Sequence, residues 1–293
     1  MTPETFAFID EVTGWCRERG LEVLVEVHSY YRQQIEIARK VDRVYDFALP
    51  PLVLHALIAA DADPLLAWMD LRPVNAVTVL DTHDGIGVID VGADTDRSRP
   101  GLLTPEQIDS LVEAIHEGSR GTSRQATGAA ASNVDLYQVN CTFYDALGRD
   151  DDRYLLARAL QFFAPGIPQV YYVGLLAGSN DMDLLARSNV GRDVNRHYYA
   201  RGEIEQELQR PVVQALLRLI RFRNSHPAFE GSCTVTGGGP RLTMAWTHHD
   251  ERAVLDAALD TASATVAWTS ADGTRTAALD QLPEQAMLSP RVR

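Results

Sequence analysis

Short apolar runs that stop at a polar or acidic residue, separated by stretches with helical length and period, leave few folds open to this chain. Leu21-Glu22-Val23-Leu24-Val25 stops at Glu26, and the stretch that begins Ala76-Val77-Thr78-Val79-Leu80 closes at Asp84. Alternation of that kind predicts parallel strands joined by crossover helices. In barrels built this way, reactive side chains sit at the carboxyl ends of the strands. Glu26 is followed by the polar segment His28-Ser29-Tyr30-Tyr31 and Asp84 by Gly85, both suited to turns. Two carboxylates in one pocket can have their pKa values driven apart, so that one donates a proton while the other stays ionised. Glycosyl transfer needs such a pair. No third carboxylate with a comparable setting lies upstream of them.

The other elements follow from the same pattern. Thr2 and Pro3 start a first helix with Phe6, Ile9 and Cys16 on its buried face and Gly20 as its stop. A helix through Gln33, Ile35, Ile37 and Val41 leads to a strand from Val44 to Leu49, and Pro50-Pro51 opens a helix through Leu54, Leu57 and Ile58. From Gly85 to about Leu147 the alternation breaks into an insertion with one clear helix. Thr104-Pro105-Glu106-Gln107 forms its capping box, and Ile108, Leu111, Val112 and Ile115 form its apolar side. A loop of small residues, Ala126 to Asn133, is expected next, then Asp135, Tyr137 and Gln138. Insertions after barrel strands shape pockets. The alternation resumes with a helix from Tyr154 to Phe163, a strand from Ile167 to Val173, a polar loop holding Arg192, Asp193, Asn195 and Arg196, and a helix through Val213, Leu216, Leu219 and Ile220. Beyond about residue 230, alternating runs around Trp246 and Trp268 predict a small β domain.

The expected fold class is therefore α/β, with at most four βα units where a closed barrel takes eight. This is half a barrel, with an insertion after its third strand and a C-terminal antiparallel β domain. A chain of 293 residues with 45% hydrophobic and 23% charged residues can bury a sizeable core. A net charge of -13 argues against nucleic-acid and anionic-membrane partners, which favour clustered Lys and Arg. Cys16, Cys141 and Cys233 are odd in number, far apart and without metal-ligand spacing, which points to a reducing cytoplasm. The charged first twenty residues do not form a signal peptide.

Four segments carry a resemblance: Glu26-Val27-His28-Ser29-Tyr30-Tyr31, Val79-Leu80-Asp81-Thr82-His83-Asp84-Gly85-Ile86-Gly87, Asn133-Val134-Asp135-Leu136-Tyr137-Gln138 and Gly191-Arg192-Asp193-Val194-Asn195-Arg196-His197. Together the sequence resembles the sucrose phosphorylases of the α-amylase superfamily (glycoside hydrolase family 13), over their carboxyl-terminal part. The resemblance implies strands five to eight of a (β/α)8 TIM barrel, with the insertion falling after strand seven. Its domains would be 1–85 with 148–229 for the barrel half, 86–147 for the acceptor subdomain and 230–293 for the β domain. It implies Glu26 as general acid/base, Asp84 as the acid that stabilises the transition state, and His83 beside it on the glucosyl ring. Arg192 falls on a residue that contacts the glucosyl unit, and Val27 and His28 are further substrate-binding positions. Val134, Asp135, Tyr137 and Gln138 fall on the acceptor side. Sucrose, inorganic phosphate, glucose 1-phosphate and fructose would be the partners, with no cofactor and no metal. The family's nucleophile, an aspartate in an Arg-x-Asp strand end, has no counterpart before Glu26.

Other readings stand beside this one. Tyr30, Tyr31, Trp68, Trp246 and Trp268 serve as packing groups, Arg192 could pair with Asp193 at the surface, and Asp46 is a conceivable substitute carboxylate. The alternative functions are a phosphorylase for another α-glucoside, a non-catalytic sugar-binding fragment, and a metal-dependent hydrolase on Glu26, His28, His83 and Asp84. Open sheet edges predict self-association, as a homodimer or with a separate amino-terminal half.

Overall fold

The computed structural model describes residues 2–94, 98–130 and 138–283. In chain order its strands are β1 (Leu24–Val25), β2 (Arg43–Asp46), β3 (Ala76–Thr78), β4 (Ile86–Gly87), β5 (Gln138–Val139), β6 (Ile167–Pro168), β7 (Ser232–Gly238), β8 (Arg241–His248), β9 (Glu251–Ala258), β10 (Ser263–Ser270) and β11 (Gly273–Ala278). β1, β2, β3 and β6 form a four-stranded parallel sheet in that order, so β1 and β6 are its two edges. Each crossover carries at least one helix: Tyr31–Ala38 before β2, Leu49–Ala59 and Asp63–Leu71 before β3, and Asp151–Phe163 within the long excursion before β6. The C-terminal sheet is an antiparallel meander, β11-β10-β9-β8-β7, and β4 pairs with β5 inside the excursion.

Several element boundaries differ from the sequence expectation, each for a local reason. The strand expected from Val44 to Leu49 ends at Asp46, whose Oδ1 accepts the Leu49 N–H at 3.1 Å and turns the chain into its helix. The run ending at Glu26 is a strand only at Leu24–Val25, and β3 stops at Thr78, so Asp84 sits on a loop well past the strand tip. The strand expected to reach Val173 covers Ile167–Pro168, because Tyr172–Leu175 is a helical turn. The helix expected to include Val41 ends at Ala38. The small-residue loop expected from Ala126 is helical to Ala130, within Thr122–Ala130. Alanine is the best helix former, so small side chains there do not mean loop.

One apolar cluster runs through all these parts. It joins Leu52, Leu57 and Trp68 to Leu111 and Ile115 of the insertion helix, to Phe162, Phe163 and Phe222, and to Leu242, Met244, Trp246, Val266 and Trp268 of the C-terminal sheet. Trp246 Nε1 donates to the Phe163 carbonyl at 2.7 Å, fixing the sheet on the helix end. A second cluster, Ile37, Ala38, Val41 and Val44, receives Phe6, Ile9, Val23, Val25 and Val27. It holds the first helix, Pro3–Arg17, with its Thr2 cap as expected, against β1 and β2. The far side of that helix leaves Phe8 and Trp15 more than half exposed.

Candidate active site

The parallel sheet brings Glu26, His28 and Asp84 together. One polar atom from each lies within 4.8 Å of the others. Glu26 and His28 follow directly on β1, Glu26 exposed and His28 half-buried. Asp84 reaches them on a braced loop. Its N–H donates to Thr82 Oγ1 at 3.2 Å, and Asn195 Nδ2 holds the carbonyls of Thr82 and Asp84 at 2.6 and 3.1 Å. Gly85 is required by space, since a Cβ there would stand 2.8 Å from the Val139 carbonyl oxygen.

His28 is fixed by the buried carboxylate of Asp90. Nδ1 lies 2.9 Å from Asp90 Oδ2, while Oδ1 accepts from the Ser29 N–H at 3.0 Å and from Gln34 Nε2 at 2.8 Å. The ring stacks on Phe47 at 3.9 Å between centroids. A side chain at Gly87 would overlap Asp90 Oδ2, so this contact too depends on glycine. Burial disfavours the charged ring, but the bond to Asp90, the charge of Asp90 and the nearby Asp84 and Glu26 outweigh it, and the His28 pKa is raised. Nε2 is left buried without a partner among the described residues, free to meet a hydroxyl.

Asp84 is neutralised from one side. Arg192 Nη1 donates to its Oδ1 at 2.7 Å and Arg196 Nη2 lies 3.4 Å from the same oxygen, while Arg196 Nε holds the His83 carbonyl at 2.8 Å. The surface pair weighed for Arg192 with Asp193 is instead made by Arg196, at 3.4 Å. His83 is half-exposed, its Nε2 3.7 Å from Asp84 Oδ1. Glu26, His28 and Asp84 could in principle hold a cation. The Asp90 bond at His28 Nδ1 is the backing a ligating histidine would have, but the two guanidinium groups already on Asp84 oppose a cation there by occupying and neutralising its carboxylate. Asp81 lines the same cleft, but its Oδ2 is tied to the buried Arg158 at 2.7 Å.

The remaining candidates are placed as follows. Val27 packs into the apolar cluster behind β1. Gln138 lies in β5, paired with Gly87 beside His28. Val134, Asp135 and Tyr137 lie outside the described residues. Tyr30 and Tyr31 are buried, Tyr30 donating to the Pro100 carbonyl at 3.0 Å. Asp46 is enclosed by Arg72, Trp68 Nε1 and the Leu49 N–H, which makes it a structural group. The sequence reading passed over Asp90 and Phe47. Asp90 left a trace, a lone carboxylate inside the apolar run Ile86 to Val91, which cannot be buried without donors.

No family model matches this sequence. Among solved structures, the α-amylase from H. orenii aligns with a TM-score of 0.56 at 15% identity, over 87% of this chain and 47% of its own, a likeness of fold alone. The parallel sheet, the antiparallel C-terminal sheet and the clustered carboxylates therefore define an α/β protein with the α-amylase type of fold. A tighter likeness is to sucrose phosphorylases, from Agrobacterium vitis (62% identical over 267 residues, 91% of this chain and 54% of the relative) and Bifidobacterium adolescentis (57% identical, 87% and 51%). The crystal structure of sucrose 6F-phosphate phosphorylase from Thermoanaerobacter thermosaccharolyticum superposes with a TM-score of 0.84 at 37% identity, covering 95% of this chain and 56% of that one. The chain is homologous to the sucrose phosphorylases and belongs to their family, and it spans about half the length of the curated relatives it matches.

Proposed function

We propose that this chain is the carboxyl-terminal part of a retaining glucosyl-transferring phosphorylase that converts sucrose and phosphate into α-glucose 1-phosphate and fructose. Strands β1, β2, β3 and β6 serve as strands five to eight of a (β/α)8 barrel. Residues 1–85 and 148–229 form that half, 86–147 the acceptor subdomain and 230–293 the β domain. The observation that carries the reading is the convergence of Glu26, His28 and Asp84 within 4.8 Å, with Arg192 on Asp84.

In the reaction, an attacking carboxylate from the absent part adds to the anomeric carbon as the bond to fructose breaks. Glu26 gives its proton to the departing oxygen, and Asp84 stabilises the positive charge on the ring. Phosphate then displaces the carboxylate while Glu26 takes back a proton, leaving the anomeric configuration unchanged. His28, with Nε2 unpartnered among the described residues, His83 and Arg192 hold glucosyl hydroxyls. Val27, between Glu26 and His28 in sequence, is a further substrate-binding position. Val134, Asp135, Tyr137 and Gln138 receive fructose or phosphate, and they set the choice between sucrose and other α-glucosides. The enzyme works in the cytoplasm.

The test is reconstitution. The chain is mixed with a polypeptide corresponding to the amino-terminal half of its relatives, and glucose 1-phosphate formation from sucrose and phosphate is followed. Activity is expected with wild-type chain and none above background with Glu26→Gln. A stoichiometric complex that makes no glucose 1-phosphate, or a Glu26→Gln complex as active as wild type, would overturn the reading.

A further inference from the structure

The turn that brings Arg192 to Asp84 is held from outside the cleft. Gly191–Asn195 is a single 3-10 turn, too short to hold its own position. Its Val194 carbonyl accepts the Asp181 N–H at 2.8 Å, and the Tyr171 hydroxyl donates to the Asn195 carbonyl at 3.2 Å. Next along the chain, His197 stands between two carboxylates, with Nδ1 2.6 Å from Asp181 Oδ2 and Nε2 2.8 Å from Glu203 Oε1.

Each carboxylate also caps a helix. Asp181 Oδ1 accepts the Leu184 N–H at 2.7 Å at the start of Met182–Ser188, and Glu203 Oε2 accepts the Ala200 N–H at 3.3 Å at the start of Arg201–Glu207. One imidazole thus fastens two helix starts, and the segment they bracket carries Arg192, Asn195 and Arg196. A neutral imidazole has a single N–H and can donate to one acceptor only. Carboxylates at both nitrogens call for the imidazolium form.

We propose that His197, held as a cation between Asp181 and Glu203, is the positioning residue for the Arg192–Asp84 contact, so that this side of the site assembles while His197 is charged. The groups around it define the electrostatics. Asp181, Asp183, Glu203, Glu207 and Arg210 line the same crevice of about 400 Å³. The Tyr199 ring meets the imidazole edge-on at 4.5 Å, and the Tyr172 hydroxyl donates to the His197 carbonyl at 2.9 Å. Arg187 acts on Asp181. Four carboxylates against two guanidinium groups leave the surroundings net negative, which favours the cation. Burial opposes the charged ring, but the bonds to Asp181 and Glu203 outweigh it and raise the pKa above the usual 6.5. The charge is therefore complete below that value and is lost as pH rises through the raised one.

The importance of this device for glucosyl binding rests on the function proposed above, whereas its geometry does not. The experiment uses NMR on the full chain. The His197 ring is titrated while hydrogen-exchange protection of the Arg192 guanidinium, assigned with Arg192→Lys, is followed over the same pH range. Glucose is titrated in parallel. Protection is expected to fall at least tenfold with the same midpoint as His197. In Glu203→Gln, which removes the negative charge at a half-buried side chain while keeping an oxygen acceptor, both midpoints are expected to move down together. Arg192 protection that ignores the His197 titration, or stays in place when Glu203→Gln shifts it, would overturn the proposal. If protection follows His197 but glucose binds at no pH, the positioning role stands and the sugar-site reading fails.

Discussion

Replacing Asp90 with Asn tests the arrangement that sets His28. The amide keeps the shape and keeps one oxygen for the Ser29 and Gln34 donors, but it removes the negative charge 2.9 Å from His28 Nδ1. A hydrogen bond to a charged group contributes roughly 1.5–3 kcal/mol, and one pKa unit corresponds to about 1.4 kcal/mol. His28 should therefore titrate lower in the variant. Asp90 is fully buried, so the amide also relieves part of the cost of burying a charge. The net loss of stability is expected at the lower end, roughly 1–2 kcal/mol, where His28 is charged. Because the folded-state pKa of His28 is raised, its contribution is present below the unfolded value and is lost as pH rises through the folded one. Urea unfolding of both proteins at about pH 6 and about pH 9 should show a larger difference at the lower pH, and NMR of the His28 ring should show the lower titration. An equal difference at both pH values, with His28 titrating unchanged, would refute the account.

Asp46→Ala should cost about 3–5 kcal/mol in thermal or urea unfolding, because it strands the buried Arg72 guanidinium and the Trp68 N–H. Gly174→Ala should prevent stable folding, measured as loss of the cooperative transition, since its Cβ would overlap both Asp81 and Arg158. The unpaired edges β1 and β6, with Leu24 and Ile167 exposed, should make the isolated chain associate in sedimentation velocity runs. A monodisperse monomer with a single sharp melt would contradict this.

The sequence alone determined those elements that local chemistry decides, although it left the helices Asp63–Leu71, Met182–Ser188 and Arg201–Glu207 unassigned. Thr2-Pro3 and Thr104-Pro105-Glu106-Gln107 cap the helices they were expected to cap, and the runs near Trp246 and Trp268 are strands. It also singled out Glu26, Asp84 and Arg192, through motifs whose spacing survives without a structure. Strand lengths were another matter. Thr78 ends β3 although the apolar run continues to Leu80, since a strand lasts only while a neighbour offers hydrogen bonds, and that neighbour is remote in sequence. Only the tertiary structure could decide that Asp90 holds His28 and that Arg196 shares Asp84 with Arg192. These depend on contacts between residues tens of positions apart, and a buried charge is explained by the donors that fold brings to it.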